Sequence, residues 1–209
     1  MSLSVKEKTS ARLVFLGAAG VGKTSLIRRF LQDTFDVKHR HTVEELHSTE
    51  YETAGGTEVK IEILDTSGSY EFPAMRKLSM QSGDAFALVY SVDDPDSFER
   101  VRRLREEILE VKEEKSPPIV VVGNKKDEAV TQKVLWKEAM STVELEWNSC
   151  LLETSAKENL NVTEVFRALL TEVNLPYRLS PALRRRRETI PNEGNRKPPM
   201  NKTNSCSMC

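Results

Sequence analysis

The fold is decided by residues 12–24, RLVFLGAAGVGKT, where a short apolar run ends at a glycine-rich segment. A helical pattern begins at about Lys23, with apolar residues at 26, 27, 30 and 31 on one face. Residues 17–24 match the pattern G-x-x-x-x-G-K-[ST] between that strand and that helix. In such a loop several backbone N–H groups converge on a phosphate at the positive end of the helix. The sequence therefore predicts a nucleotide-binding phosphate loop.

Two side chains of the phosphate loop carry specific chemistry. We expect Lys23 to reach the β and γ phosphates and the Thr24 hydroxyl to ligate Mg²⁺. The alternative is a glycine-rich turn that only caps a helix, and the presence of both Lys23 and Thr24 argues against it. The residues predicted to bind nucleotide here are Gly17, Ala18, Ala19, Gly20, Val21, Gly22, Lys23, Thr24 and Ser25.

Apolar runs alternate with helical patterns along the rest of the chain. The predicted strands are 12–16, 45–53, 58–64, 85–92, 119–122 and 150–153, and the predicted helices after the first are about 96–114, 131–146 and 161–173. Gly55-Gly56 lies between two alternating strands, which indicates an antiparallel hairpin. We expect an α/β fold: a mixed six-stranded sheet, mostly parallel with one antiparallel edge, and helices on both faces. Ligands bind such sheets at the carboxyl ends of the strands.

The loop after the third predicted strand, residues 65–68 (DTSG), begins with a carboxylate. Asp65 can hold a water of the Mg²⁺ shell, and Gly68 can present its N–H to a γ-phosphate. Read alone, DTSG is a common turn sequence. Beside a phosphate loop it predicts a metal-proximal site.

Two later loops predict guanine recognition, so GTP/GDP with Mg²⁺ are the expected cofactors. Asp127, in NKKD, can accept hydrogen bonds from N1–H and the 2-amino group of guanine, and adenine lacks both donors. The segment SAK, residues 155–157, can offer a backbone N–H to guanine O6, and the stem of Lys157 can pack on the ring. The residues predicted to bind the base are Asn124, Lys125, Asp127, Ser155, Ala156 and Lys157.

These four motifs, in this order and at these spacings, resemble the Ras superfamily of small GTPases over residues 11–174. The resemblance implies that Thr42 is the first-switch threonine, which completes the Mg²⁺ shell when a γ-phosphate is present, and that Phe35 packs edge-on to guanine. It also implies that a second-switch helix starts at residues 71–76. RHTVEELH with DTSGSYEFPAMRKLS is similar to the branch that contains the Dexras and Rhes proteins, and most similar to the Ras-dva proteins.

The resemblance also implies partners and a reaction. Effector, exchange-factor and GTPase-activating proteins are expected to contact residues 42–47 and 69–79. His39, Arg40 and His41 replace the aromatic, acidic and proline residues common near the switch threonine in Ras itself, which favours a different effector set. The residues expected to take part in turnover are Lys23, Thr42, Gly68 and Ser69.

Two departures from the family pattern predict weak GTP hydrolysis. Ser69 stands where the family has a catalytic glutamine that orients the attacking water, and a serine is too short to replace it. Ala19 stands where Ras proteins usually have glycine, and its side chain crowds the same space. We expect slow turnover with normal nucleotide binding. The alternative is a constitutively GTP-loaded module that recruits effectors.

The predicted organisation is a short N-terminal extension at residues 1–10, a GTPase domain at 11–175 and a disordered tail at 176–209. The tail carries a net charge of +6 and five of the nine prolines, whereas the rest of the chain carries −7. Cys206 stands four residues from the end, as in the prenylation pattern C-a-a-X. A prenylated, basic tail predicts attachment to anionic lipid on the cytoplasmic face of the plasma membrane.

Other interpretations of the tail stay open. CSMC is also a chance C-x-x-C pair with a redox or metal role, and the arginines at 184–187 resemble a nuclear-import signal, which implies a nuclear or cytosolic pool. No apolar run approaches the ~18 residues of a membrane span, and we expect no secretory signal. Three cysteines are too few for a disulfide scaffold, and Cys150 is expected to be inert core. We expect a monomer with no nucleic-acid partner.

Overall fold

A computed structural model of the chain describes residues 9–37, 42–52, 58–68, 73–113 and 117–175. The strands in these ranges are β1 (Ser10–Gly17), β2 (Glu45–Glu52), β3 (Glu58–Asp65), β4 (Ala85–Ser91), β5 (Ile119–Asn124) and β6 (Cys150–Glu153). They form a six-stranded sheet in the order β2-β3-β1-β4-β5-β6. β2 and β3 pair antiparallel, and the other neighbours pair parallel. The predicted mixed sheet with one antiparallel edge is confirmed; the glycines of the hairpin lie outside the described residues.

Helices cover both faces of the sheet, as predicted. The α-helices of the described ranges are α1 (Lys23–Gln32), α2 (Pro73–Ser82), α3 (Pro95–Lys112), α4 (Trp136–Met140) and α5 (Val162–Glu172). On one face, α1 and α5 close an apolar core in which Phe30 and Phe166 stack with ring centroids 3.6 Å apart. On the other face, α2, α3 and α4 cover a second core that contains Met80, Val101 and Ala139.

The central strands are buried along their whole length because helices lie on both sides of them. Every residue of β4 and β5 is buried, in agreement with the nearly continuous apolar runs in the sequence. Gly17 ends β1 at a point where the backbones of β1 and β4 are very close. A Cβ on Gly17 would lie 2.1 Å from the carbonyl oxygen of Val89. Glycine is therefore required at the point where the phosphate loop leaves the sheet.

The predicted helix at about 131–146 is wrong at its start, because the α-helix there begins only at Trp136. The chain forms a 3₁₀ helix over Lys126–Thr131, the short α4, and a π-helical segment over Ser141–Glu146. The amides of Lys133 and Val134 donate to the carbonyl of Val92 at 2.9 and 3.0 Å, so a tertiary contact holds them out of a helix.

The described residues also test the predictions about Cys150 and about membrane-spanning helices. Cys150 opens β6 half-buried, which is less enclosed than the core position predicted. Among the described helices, none combines the length and the apolar character needed to cross a membrane.

Candidate functional site

The loops at the carboxyl ends of β1, β3, β5 and β6 surround a cleft of about 500 Å³. Its volume is in the range of ordinary small-molecule sites, roughly 300–1,000 Å³. The cleft brings together most of the residues predicted from the four motifs and from the resemblance: Ala19, Gly20, Gly22, Lys23, Thr24, Ser25, Phe35, Thr42, Gly68, Asn124, Lys125, Asp127, Ala156 and Lys157.

The backbone of the phosphate loop depends on its glycines. Gly20 and Gly22 have φ values of 78° and 98°, in the left-handed region that side chains disfavour. A Cβ on Gly22 would also lie 2.3 Å from Nδ2 of Asn124. That same Nδ2 donates to the carbonyl of Val21 at 2.9 Å, so the base-binding loop and the phosphate loop are joined directly.

Lys23 closes the phosphate loop on itself. Its ammonium donates to the carbonyls of Gly17 and Ala18 at 3.0 and 2.9 Å. Burial lowers the pKa of Lys23 to about 8, and the nearby Asp65 carboxylate opposes that shift. A bound phosphate would supply the negative charge that this buried ammonium lacks.

Three oxygen-bearing side chains meet at the amino end of α1. The Thr24 hydroxyl donates to Oδ2 of Asp65 at 2.6 Å and lies 2.7 Å from the Thr42 hydroxyl. The antiparallel ladder explains the position of Thr42, because β2 begins with Glu45 opposite Asp65. The cluster therefore joins α1, the end of β3 and the segment that precedes β2.

This cluster fits Mg²⁺, which prefers oxygen ligands. Octahedral bonds of about 2.0–2.1 Å place neighbouring ligands about 2.9 Å apart, close to the observed separation of the Thr24 and Thr42 hydroxyls. Oδ1 of the fully buried Asp65 has no hydrogen-bond partner among the described residues. Burial raises the pKa of Asp65, against the Thr24 hydrogen bond and the charge of Lys23. A metal-bound water donating to Oδ1 would remove this cost.

Contacts within the protein hold the carboxylate of Asp127, the side chain predicted to recognise the base. Only 6% of the Asp127 side chain is exposed. Its Oδ1 accepts a hydrogen bond from the Ser155 hydroxyl at 2.6 Å, and its Oδ2 lies 3.6 Å from Nζ of Lys157. The two base loops are therefore connected through Asp127 itself.

Asn124 also organises the fourth loop. Its Oδ1 accepts from the Thr154 hydroxyl at 3.1 Å and from the Ala156 amide at 3.2 Å. The N–H expected to meet guanine O6 thus already has a partner, which a bound base would have to share or replace.

The remaining predicted residues support the cleft instead of lining it. The carbonyls of Gly17 and Ala18 hold Lys23, Val21 is buried in the core, and Ser155 is fully buried behind Asp127. Ser69 and Cys206 lie outside the described residues, so their predicted roles stay predictions.

Several residues that line the cleft were not among those predicted to bind nucleotide or metal. They are Arg28, Asp36, Val37, Val43, Glu45, Ser67 and Glu128. For Arg28 a signal exists in the sequence, because it stands four residues after Thr24 on the same helix and therefore on the same face. Its guanidinium lies 3.5 Å from the Asp36 carboxylate, beside the expected guanine contact Phe35.

The site and fold agree with comparisons to known proteins. A model of the Ras family matches residues 12–175. The GTP-binding protein Rhes of Homo sapiens is 42% identical over 194 residues, which cover 88% of this chain and 73% of the relative. Rhes of Mus musculus and of Rattus norvegicus are each 42% identical over 191 residues, which cover 87% of this chain and 71% of the relative.

These matches confirm the prediction of a Ras-like small GTPase near the Rhes proteins. The narrower likeness to the Ras-dva proteins stays a prediction. With a family model that matches residues 12–175 and these relatives at 42% identity, the chain belongs to the Ras family of small GTP-binding proteins.

Proposed function

We propose that this chain is a membrane-tethered GTP/GDP switch that uses Mg²⁺ and hydrolyses GTP slowly. The observation that carries the proposal is the contact between the Thr24 and Thr42 hydroxyls, 2.7 Å apart. Thr24 belongs to the helix that follows the phosphate loop, and Thr42 belongs to the first switch. A metal and a γ-phosphate held there would couple the nucleotide state to the position of the first switch.

Thr24 and Thr42 would hold the Mg²⁺ ion directly, and Asp65 would hold it through a water. Bound Mg²⁺ would neutralise charge on the β and γ phosphate oxygens. Lys23 would place its ammonium against the same oxygens, in exchange for its present contacts with the Gly17 and Ala18 carbonyls. Gly68 would offer its backbone N–H to the γ-phosphate.

Guanine preference is assigned to Asp127, supported by its burial and its hydrogen bond to Ser155. The carboxylate would accept from N1–H and the 2-amino group of guanine. With adenine the same buried carboxylate would lose both donors, which is strongly unfavourable. Phe35 and the stem of Lys157 would pack against the ring.

Slow hydrolysis is supported by the crowding around Ala19. Gly68 packs so closely on the phosphate loop that a Cβ there would lie 2.4 Å from the Ala19 amide nitrogen. The residue after Gly68 is Ser69, which lies outside the described residues and by sequence puts a short side chain where the family has its water-positioning glutamine. Nucleotide binding does not depend on the water-positioning residue, whereas the rate of GTP hydrolysis does.

A single-turnover assay of GTP hydrolysis tests the proposal. The wild-type chain is expected to be slower than the roughly 3–5 × 10⁻⁴ s⁻¹ of Ras. The double substitution Ser69→Gln with Ala19→Gly is expected to raise the rate, with nucleotide affinity unchanged. If the double variant gains nothing, another group positions the water and the explanation of slow turnover fails.

The same two residues favour a second function, a GTP-loaded module whose effector binding is set by its abundance. The two functions share the guanine site, and they differ in whether bound GTP is turned over within the lifetime of a signal.

We also propose a division into a GTPase domain at residues 11–175 and a basic tail at 176–209 that acts as the membrane anchor through prenylated Cys206. A single lipid chain binds a membrane only marginally, so a second signal is needed. The net charge of +6 in the tail is suited to anionic lipid, and the net charge of −7 in the rest of the chain is repelled by it. A monomer tethered in this way presents residues 42–47 and 69–79 to effectors and regulators.

A further inference from the structure

Arg29 connects α1 to the fourth loop of the nucleotide site. Its Nε donates to the carbonyl of Ala156 at 2.9 Å, and a terminal nitrogen donates to the carbonyl of Lys157 at 3.0 Å. The other terminal nitrogen donates to the backbone carbonyl of Asp33 at 3.0 Å and lies 3.3 Å from its carboxylate. Only 15% of the Arg29 side chain is exposed.

The geometry suits backbone positioning. A guanidinium is planar and rigid, and two of its N–H groups here meet the carbonyls of Ala156 and Lys157, so the peptide units that follow these two residues are restricted. The Ala156 N–H lies in the adjoining peptide unit, one Cα away. On the opposite side of the same loop, the Ala156 amide donates to Oδ1 of Asn124. The loop is therefore held from α1 on one side and from β5 on the other.

Arg29 does not line the cleft, and the Asp33 carboxylate lies close to its charge. A direct contact with phosphate or base is therefore not its role. Any effect on nucleotide binding has to pass through the backbone of Ala156 and Lys157.

We propose that Arg29 is a positioning residue for guanine recognition, which fixes the fourth loop so that the Ala156 N–H lies within reach of O6 of the base. Guanine is then recognised at two independent places. Asp127 accepts from N1–H and the 2-amino group, and the loop held by Arg29 donates to O6. The inference rests on the proposed guanine site and takes the Ala156 N–H as the donor to O6.

Two analogues of GDP separate these two places of recognition at pH 7 in competition with a fluorescent GDP. Inosine diphosphate keeps O6 and lacks the 2-amino group, so its loss of affinity reports on Asp127. 6-Thioguanosine diphosphate replaces O6 with sulfur, a weaker acceptor, so its loss of affinity reports on Ala156.

Arg29→Met removes the donors and keeps a side chain of similar reach. We call the ratio of the dissociation constant of each analogue to that of GDP its penalty, the thio penalty for 6-thioguanosine diphosphate and the inosine penalty for inosine diphosphate. In Arg29→Met we expect GDP affinity to fall about tenfold, as for the loss of one hydrogen bond, and the thio penalty to fall towards one. The inosine penalty should stay as in the wild type. Arg29→Gln, whose amide can donate to one carbonyl, should recover part of the thio penalty. Arg167→Met is the matched control, because Arg167 pairs with Glu164 on the exposed face of α5.

The outcomes are distinct. An unchanged thio penalty in Arg29→Met, or an equal fall of the thio and inosine penalties, would overturn the positioning role, and the second result would indicate a general loosening of the site. A wild-type chain that discriminates against neither analogue would overturn the proposed guanine assignment, and this inference with it. Should Arg29→Met not fold, the same comparison in Arg29→Gln decides between these results.

Discussion

Asp127→Asn tests the most specific chemical assignment in the site. The asparagine has the same shape as Asp127 and can still accept one hydrogen bond, but it presents an amide nitrogen to the second guanine donor. One charge-assisted hydrogen bond is lost and the other becomes neutral. Hydrogen bonds to charged groups contribute about 1.5–3 kcal/mol and neutral ones about 1 kcal/mol. The expected cost is therefore roughly 2–5 kcal/mol.

That cost corresponds to roughly a 30- to 4,000-fold loss of GDP affinity. The full value applies because the Asp127 side chain is only 6% exposed, so water cannot replace the missing acceptor. Xanthosine diphosphate should gain affinity in the variant, because its 2-oxo group accepts from the new amide. Competition against a fluorescent nucleotide measures both ligands in one series.

Glu158→Gln is the matched control, because it removes the same charge from an exposed position beside the fourth loop. It should leave both affinities within a few fold of the wild type. If Asp127→Asn bound GDP as tightly as this control, or if ATP displaced labelled GTP from the wild type as well as GDP does, the assignment of Asp127 would be refuted.

Two further predictions concern the cysteines. Cys206→Ser should make the protein soluble or nuclear in cell imaging, and alanine at all four arginines of residues 184–187 should move it to internal membranes, because each basic residue adds up to ~1 kcal/mol of attraction to anionic lipid; plasma-membrane localisation of Cys206→Ser would refute the lipid anchor. Burial raises the pKa of the Cys150 thiol, so less thiolate exists at pH 8 and alkylation of Cys150 should be slower than that of free cysteine, rising as the pH increases. Equal labelling rates, followed by mass spectrometry, would contradict this.

The parts of the fold that follow from periodicity and glycine chemistry were predictable from sequence. The phosphate loop is an example, because its motif identifies the glycines that the structure places at positive φ. The chain order of strands and helices likewise predicts the mixed sheet. The segment after β5 was not predictable in this way: the amides of Lys133 and Val134 bond to Val92, about forty residues away in sequence, and a helical pattern carries no information about that partner.

The site, like the fold, was predictable from the sequence only in part. Motifs identified most of the residues of the site, including Asn124 and Ser155, but not the contacts that hold the site together, and they did not identify Arg29. Ser155 buttresses Asp127, Asn124 bridges the phosphate loop to the fourth loop, and Arg29 clamps that loop from α1. These contacts join segments far apart in the chain, and an arginine on a helix such as α1 is most simply read as a solvated residue.

The central claim, that this chain is a switch, is tested most directly by the nucleotide bound to it in cells. The protein is immunoprecipitated from unstimulated cells, its nucleotide is released, and GTP and GDP are separated and quantified. A switch predicts a pool that is mainly GDP-bound and moves towards GTP when exchange is stimulated. A pool that is mainly GTP-bound under both conditions would contradict the account and establish the GTP-loaded module in its place.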